Sequence, residues 1–187
     1  MSGRFTFKDS SIPGLYVAER KGQEDQRGYF SRLFCLNDFG KIGMGKNIVQ
    51  INHSLTREKG TVRGLHFQMP PHAEVKIISC LQGEVFDVAV DIRMGSKTFL
   101  KWHAEKLSPG NRKTMIIPEG FAHGFQALTD NCELIYFHTD IYDPGCEGGL
   151  RVDDERIGIQ WPLPVAGLSD RDKSYPDIGH NFTGVNL

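Results

Sequence analysis

With 187 residues and 39% hydrophobic content, the chain is long enough to bury a full core, and no break in composition divides it, so a single domain over 1–187 is expected. Its 22 basic and 23 acidic residues nearly cancel, which excludes a global basic field for nucleic acid and leaves any anion site to local clusters. The N-terminus has no basic start followed by a long apolar run, and no stretch approaches the roughly 20 apolar residues that span a bilayer, so a soluble protein is expected.

Short runs of β-branched and aromatic residues bounded by Gly, Pro, Asn or Asp recur between 28 and 139, at a spacing of about ten positions that suits an all-β barrel or sandwich. In chain order the expected strands are 29–34, 48–54, 64–68, 75–81, 85–93, 99–107, 113–117, 124–127 and 132–139. The clearest is 85–93, where Phe86, Val88, Val90 and Ile92 share a packing face and Asp87, Ala89, Asp91 and Arg93 share a polar one. Residues 40–46 and 144–149 read as loops, and Met69-Pro70-Pro71 as a rigid turn. From Pro162 onward the tail is expected to wrap the barrel as coil and short helical turns. Cys35, Cys80, Cys132 and Cys146 are widely spaced, without CxxC or paired metal-ligand spacing, which points to a reducing cytosol and a cytoplasmic protein.

The seven histidines raise the question of a metal. A metal-binding barrel would offer His-x-His with a nearby carboxylate on one strand and another His after a Pro-x-Gly turn. Here His66-Phe67-Gln68 carries glutamine at the second position, and only His123 follows Pro118-Glu119-Gly120, so no catalytic metal is expected. Without metal, His66 is either a satisfied core residue or a general base suited to neutral pH. Arg63 three positions earlier and Lys76 in the next strand supply the other parts for abstracting a proton beside a carbonyl.

Four segments, Arg63-Gly64-Leu65-His66-Phe67-Gln68, Gly83-Glu84-Val85-Phe86-Asp87-Val88-Ala89-Val90-Asp91-Ile92-Arg93, Pro118-Glu119-Gly120-Phe121-Ala122-His123-Gly124-Phe125 and Ile157-Gly158-Ile159-Gln160-Trp161-Pro162, resemble the dTDP-4-dehydrorhamnose 3,5-epimerases. The resemblance runs from about Gln26 to Asp172. It implies a double-stranded β-helix, or cupin, working as a homodimer without cofactor on a nucleotide-linked 4-keto-6-deoxy sugar. It further implies that His66 is the base, that Asp172 pairs with it and favours its cationic form, that Lys76 stabilises the enolate, and that Tyr136 is the acid on the opposite face. Arg27, Gln50, Asn52, Arg63, His123, Glu147 and Arg171 match positions that hold diphosphate, sugar or base. Tyr142 matches an aromatic that stacks on the pyrimidine, Phe30 one that flanks it from the partner subunit, and Asp87 is placed by alternation to orient His123.

Arg32, Ile51 and the pair Arg151-Val152 depart from the family pattern and leave the base open between thymine and another such as cytosine. Inversion at C3, at C5 or at both also stays open. Two alternatives stand beside the epimerase: a ketoisomerase on the same barrel, and a sugar-nucleotide-binding cupin without catalysis.

Overall fold

The computed structural model describes residues 3–187. Thirteen strands occur among them: β1 (Phe5–Asp9), β2 (Tyr16–Arg20), β3 (Gly22–Asp25), β4 (Gly28–Ser31), β5 (Gln50–Thr56), β6 (Val62–Gln68), β7 (Lys76–Gln82), β8 (Val85–Asp91), β9 (Trp102–Leu107), β10 (Lys113–Ile117), β11 (Phe121–Ala127), β12 (Cys132–His138) and β13 (Glu147–Gly149). Two short α-helices, α1 (Leu36–Phe39) and α2 (Asp170–Ser174), and a 3-10 turn over Gly40–Ile42, inside the segment read as a loop, complete the regular structure among the described residues. The strands form a six-stranded sheet in the order β1-β2-β10-β7-β12-β5 and a five-stranded sheet in the order β13-β6-β11-β8-β9, with β3-β4 as a separate hairpin. All pairings within the sheets are antiparallel, and the two sheets face each other as the walls of the double-stranded β-helix.

The all-β expectation holds. β1, β2 and β3 lay outside the expected strands, and 144–149, read as a loop, ends in β13, which pairs with β6. β13 is legible only through its partner, because Glu147-Gly148-Gly149 has no strand propensity of its own. Its glycines are required by packing: a Cβ at Gly149 would lie 2.0 Å from Tyr175 Cζ.

Both faces of β8 are covered, which corrects the reading of 85–93 as one packing and one polar face. Between the sheets lie Ile78, Cys80, Met115 and Leu134 against Val85, Ala89, Phe121 and Phe125. Outside the five-stranded sheet, Val88, Val90 and Ile92 pack under Leu150, Val152, Ile157, Ile178 and Val185 of the C-terminal segment. Outside the six-stranded sheet, Ile77, Ile116 and Phe137 pack under Phe39 and Met44. Burying each of these large side chains stabilises the fold by ~1.5–3 kcal/mol relative to leaving it exposed. Asp87 therefore points into the barrel, where it is fully buried.

The inward row of each strand changes character along its length. On β12, Cys132 and Leu134 are apolar, whereas Tyr136 and His138 are polar; opposite them on β7, Cys80 and Ile78 give way to Lys76. One end of the barrel is an apolar core and the other is a cavity walled by titratable groups.

Candidate active site

The cavity measures about 300 Å³ and is lined by Gln50, Asn52, Arg63, His66, Lys76, His123, Tyr136, Tyr142, Glu147 and Arg171 among others. His66 (β6) and His123 (β11) come from the five-stranded sheet and are direct partners in the antiparallel register. Tyr136 (β12) and Lys76 (β7) come from the facing six-stranded sheet. Gly64 allows β6 and β11 to approach so closely: its φ is +134°, and a Cβ there would lie 2.5 Å from Gly124 Cα.

Asp172 is brought to His66 by α2. Ser169 caps that helix, its hydroxyl accepting from the Asp172 backbone N–H at 3.1 Å, and the acidic Asp170 and Asp172 suit the helix start. The Asp172 side chain is buried behind His66 with Oδ1 2.7 Å from Nε2. When Nε2–H donates to this carboxylate, Nδ1 carries the lone pair that accepts a proton. Burial lowers the His66 pKa below its ordinary value; Asp172 opposes the shift, and Arg171 and Lys76 add to it. The expectation that Asp172 would favour the cation is thus outweighed by desolvation, and the imidazole is neutral at neutral pH.

Tyr136 donates to or accepts from Ser54 Oγ at 3.1 Å, and burial pushes its phenol well above the ordinary range, so it holds its proton. Lys76 Nζ donates to the His66 carbonyl at 3.3 Å and lies 3.4 Å from Glu74 Oε1. His123 Nε2 is 2.7 Å from Asp87 Oδ1, as alternation along β8 suggested, and burial pushes Asp87 upward against the pull of His123. At the mouth, Tyr142 donates to Glu147 Oε2 at 3.0 Å, and Arg171 Nη1 donates to both Glu147 oxygens at 2.9 and 3.0 Å.

Arg27 and Phe30 are the expected binding residues that the cavity does not gather, and Asp172 stands behind His66 without lining it. Arg27 and Phe30 lie on the β3-β4 hairpin, where Phe30 is 66% exposed and Arg27 binds Asp25. Sequence reasoning missed Ser54, Glu74 and His138. His138 Nδ1 donates to Glu74 Oε2 at 2.6 Å, and Asn52 Nδ2 donates to His138 Nε2 at 3.3 Å. Alternation from Tyr136 would have found His138, and from Asn52 would have found Ser54; Glu74 sits in a loop that carries no periodic signal. The departures noted above all fall outside the cavity lining. Arg32 lies 3.8 Å from Asp38, Ile51 is 58% exposed, Arg151 pairs with Asp153, and Val152 is buried in the C-terminal core.

Residues 9–180 match the family model described as dTDP-4-dehydrorhamnose 3,5-epimerase. The chain belongs to the dTDP-4-dehydrorhamnose 3,5-epimerase family, and it is an isomerase. It is 43% identical over 164 residues to the dTDP-4-dehydrorhamnose 3,5-epimerase of Shigella flexneri, covering 87% of this chain and 90% of the relative. It is 39% identical over 180 residues to that of Methanothermobacter thermautotrophicus, covering 95% and 96%. Its structure is similar to that of the dTDP-6-deoxy-D-glucose-3,5-epimerase from Legionella pneumophila Philadelphia 1 in complex with dTDP-4-keto-L-rhamnose. That likeness has a TM-score of 0.91 and 36% identity and covers 98% of this chain and 99% of that one. An epimerase of this family needs a base and an acid acting on opposite faces of one ring, and the cavity presents titratable groups from two facing sheets.

Proposed function

We propose that this epimerase inverts C3 and C5 of a dTDP-linked 4-keto-6-deoxyhexose, with His66 as base, Tyr136 as acid, Lys76 as stabiliser of the enolate and Asp172 as the partner of His66. The observation that carries the reading is that His66 and Tyr136 enter one cavity from opposite sheets. The C4 ketone acidifies the neighbouring C–H bonds. His66 takes the proton, the electron pair moves to the C4 oxygen beside the Lys76 ammonium, and collapse of the enolate draws the Tyr136 phenol proton onto the other face. The imidazolium formed at His66 is compensated by Asp172, 2.7 Å away. No cofactor enters these steps.

For the nucleotide, Arg63, Arg171 and His123 suit the diphosphate and sugar, Gln50, Asn52 and Glu147 the remaining polar edges, and Tyr142, 51% exposed at the mouth, the face of the base. Thymine is the base we favour, because the relatives are named as epimerases of dTDP sugars. A homodimer is supported by the exposed apolar row on the edge strand β5, with Ile51 and Leu55, and by Phe30 and Arg27, exposed on the β3-β4 hairpin and outside this chain's own cavity. We further propose one domain over 1–187 and a cytoplasmic location, in keeping with four free thiols.

The test is deuterium incorporation from heavy water at C3 and C5, read by NMR with dTDP- and CDP-linked 4-keto-6-deoxyglucose offered separately. Exchange at both carbons with the dTDP sugar, lost in His66→Asn, is expected. Absence of exchange, or exchange indifferent to His66, would overturn the reading, and a preference for CDP would overturn the base.

A further inference from the structure

We propose that His72, Asp143 and Cys146 form a binding site for a divalent transition-metal ion of the zinc class beside the mouth of the cavity. One imidazole nitrogen, one carboxylate oxygen and one thiol sulfur there all lie within 4.8 Å of one another. His72 Nε2 and Asp143 Oδ2 are 3.7 Å apart. Bonds of about 2.0–2.3 Å from nitrogen, oxygen and sulfur to a tetrahedral zinc ion put its ligand atoms roughly 3.3–3.8 Å apart, so small side-chain rotations close the shell.

The three groups are held by backbone that is already organised. His72 closes the turn after Met69, its N–H donating to the Met69 carbonyl at 3.0 Å, while Met69 N–H donates to the Cys146 carbonyl at 2.8 Å. Gln68 joins both loops, donating to the His72 carbonyl at 3.1 Å and accepting from Asp143 N–H at 2.7 Å. Asp143 uses Oδ1 for the Gly145 N–H at 2.7 Å, which leaves Oδ2 for an ion. His72 Nδ1 is 2.9 Å from Asp140 Oδ1, an arrangement that fixes the ring and leaves Nε2 as the ligating atom.

Ligand chemistry selects the class of ion. Imidazole with thiolate favours zinc and its neighbours, whereas magnesium and calcium require oxygen shells. When the ion binds, the Cys146 S–H bond breaks, its proton passes to solvent and the sulfur pair forms the metal bond; thiolate and Asp143 carboxylate then balance the 2+ charge. The fourth position stays open to water. Tyr142 and Glu147, which flank the two ligands in sequence, line the cavity, so the ion would immobilise the mouth. None of the three ligands belongs to the catalytic set proposed above.

The experiment is titration of the reduced, chelator-stripped protein with cobalt(II) alone. One ion per chain is expected, with a near-ultraviolet thiolate-to-cobalt charge-transfer band that disappears in Cys146→Ser and in His72→Ala and persists in Cys35→Ser. Asp140→Asn should weaken binding by about 10- to 100-fold while keeping the band. A wild-type protein without the band, or a band that survives Cys146→Ser, would overturn the site. Circular dichroism of each variant verifies that its fold is intact before titration.

Discussion

Asp172→Asn isolates the contribution of the carboxylate behind His66. The substitution keeps side-chain size at a position only 4% exposed, and the cap is untouched because Ser169 accepts from the backbone N–H of residue 172. What is lost is a 2.7 Å charge-assisted hydrogen bond to the imidazolium formed during proton abstraction. Such bonds contribute about 1.5–3 kcal/mol, and at about 1.36 kcal/mol per tenfold in rate, kcat/KM should fall by roughly 10- to 150-fold. Asp172 is also the group that opposes the downward shift of the His66 pKa, so its removal should move the acid limb of the kcat/KM profile to lower pH. The assay is solvent-deuterium exchange at C3 measured across pH 5 to 8 for wild type and variant. A loss below threefold, or an acid limb displaced to higher pH, refutes the pairing.

Tyr136→Phe should leave hydrogen exchange at the first carbon running while net inversion drops about 10²- to 10⁴-fold. The two are separated by following exchange and product configuration in one NMR sample, and loss of stability should stay near ~1 kcal/mol, for the hydrogen bond to Ser54. Because burial holds His66 below its ordinary value, the unfolded chain binds a proton that the native one does not. The stabilisation from the neutral ring is therefore complete above about pH 6.5 and is lost as pH falls through the lower folded value. Thermal melts from pH 7.5 to 5 should show wild type losing stability faster than His66→Asn; parallel slopes would contradict the shift. Gly64→Ala forces a Cβ to within 2.5 Å of Gly124 Cα at a φ of +134°, so urea unfolding should report a loss of ~3 kcal/mol or more.

Much of the fold was legible because strand periodicity is local. Val85, Asp87, Ala89 and Asp91 alternate with Phe86, Val88 and Val90 whatever surrounds them, and the glycines and prolines between such runs mark the turns. Alternation says that two faces differ without saying which faces water. The polar face of β8 was thus open to misreading: its Asp87 is inside the barrel, and its apolar neighbours are covered by residues 60 and more positions later. β1 and β2, with Phe7, Lys8 and Glu19 among their residues, join the sheet through their pairing with each other and with β10.

By itself the sequence determined most of the strand pattern between 28 and 139, the near-neutral charge, and a set of motifs specific enough to bring in His66, Lys76, Tyr136 and Asp172 by resemblance. Tertiary structure alone decided which groups meet. His66 and Asp172 are 106 positions apart and touch only because α2 docks on β6; His72 reaches Asp143 and Cys146 only because two loops are tied through Gln68. It also decided the protonation of His66, since that depends on how much water is removed from the ring against how near Asp172 lies. Desolvation and the attraction between charges act through space, and a sequence specifies them only by way of the fold.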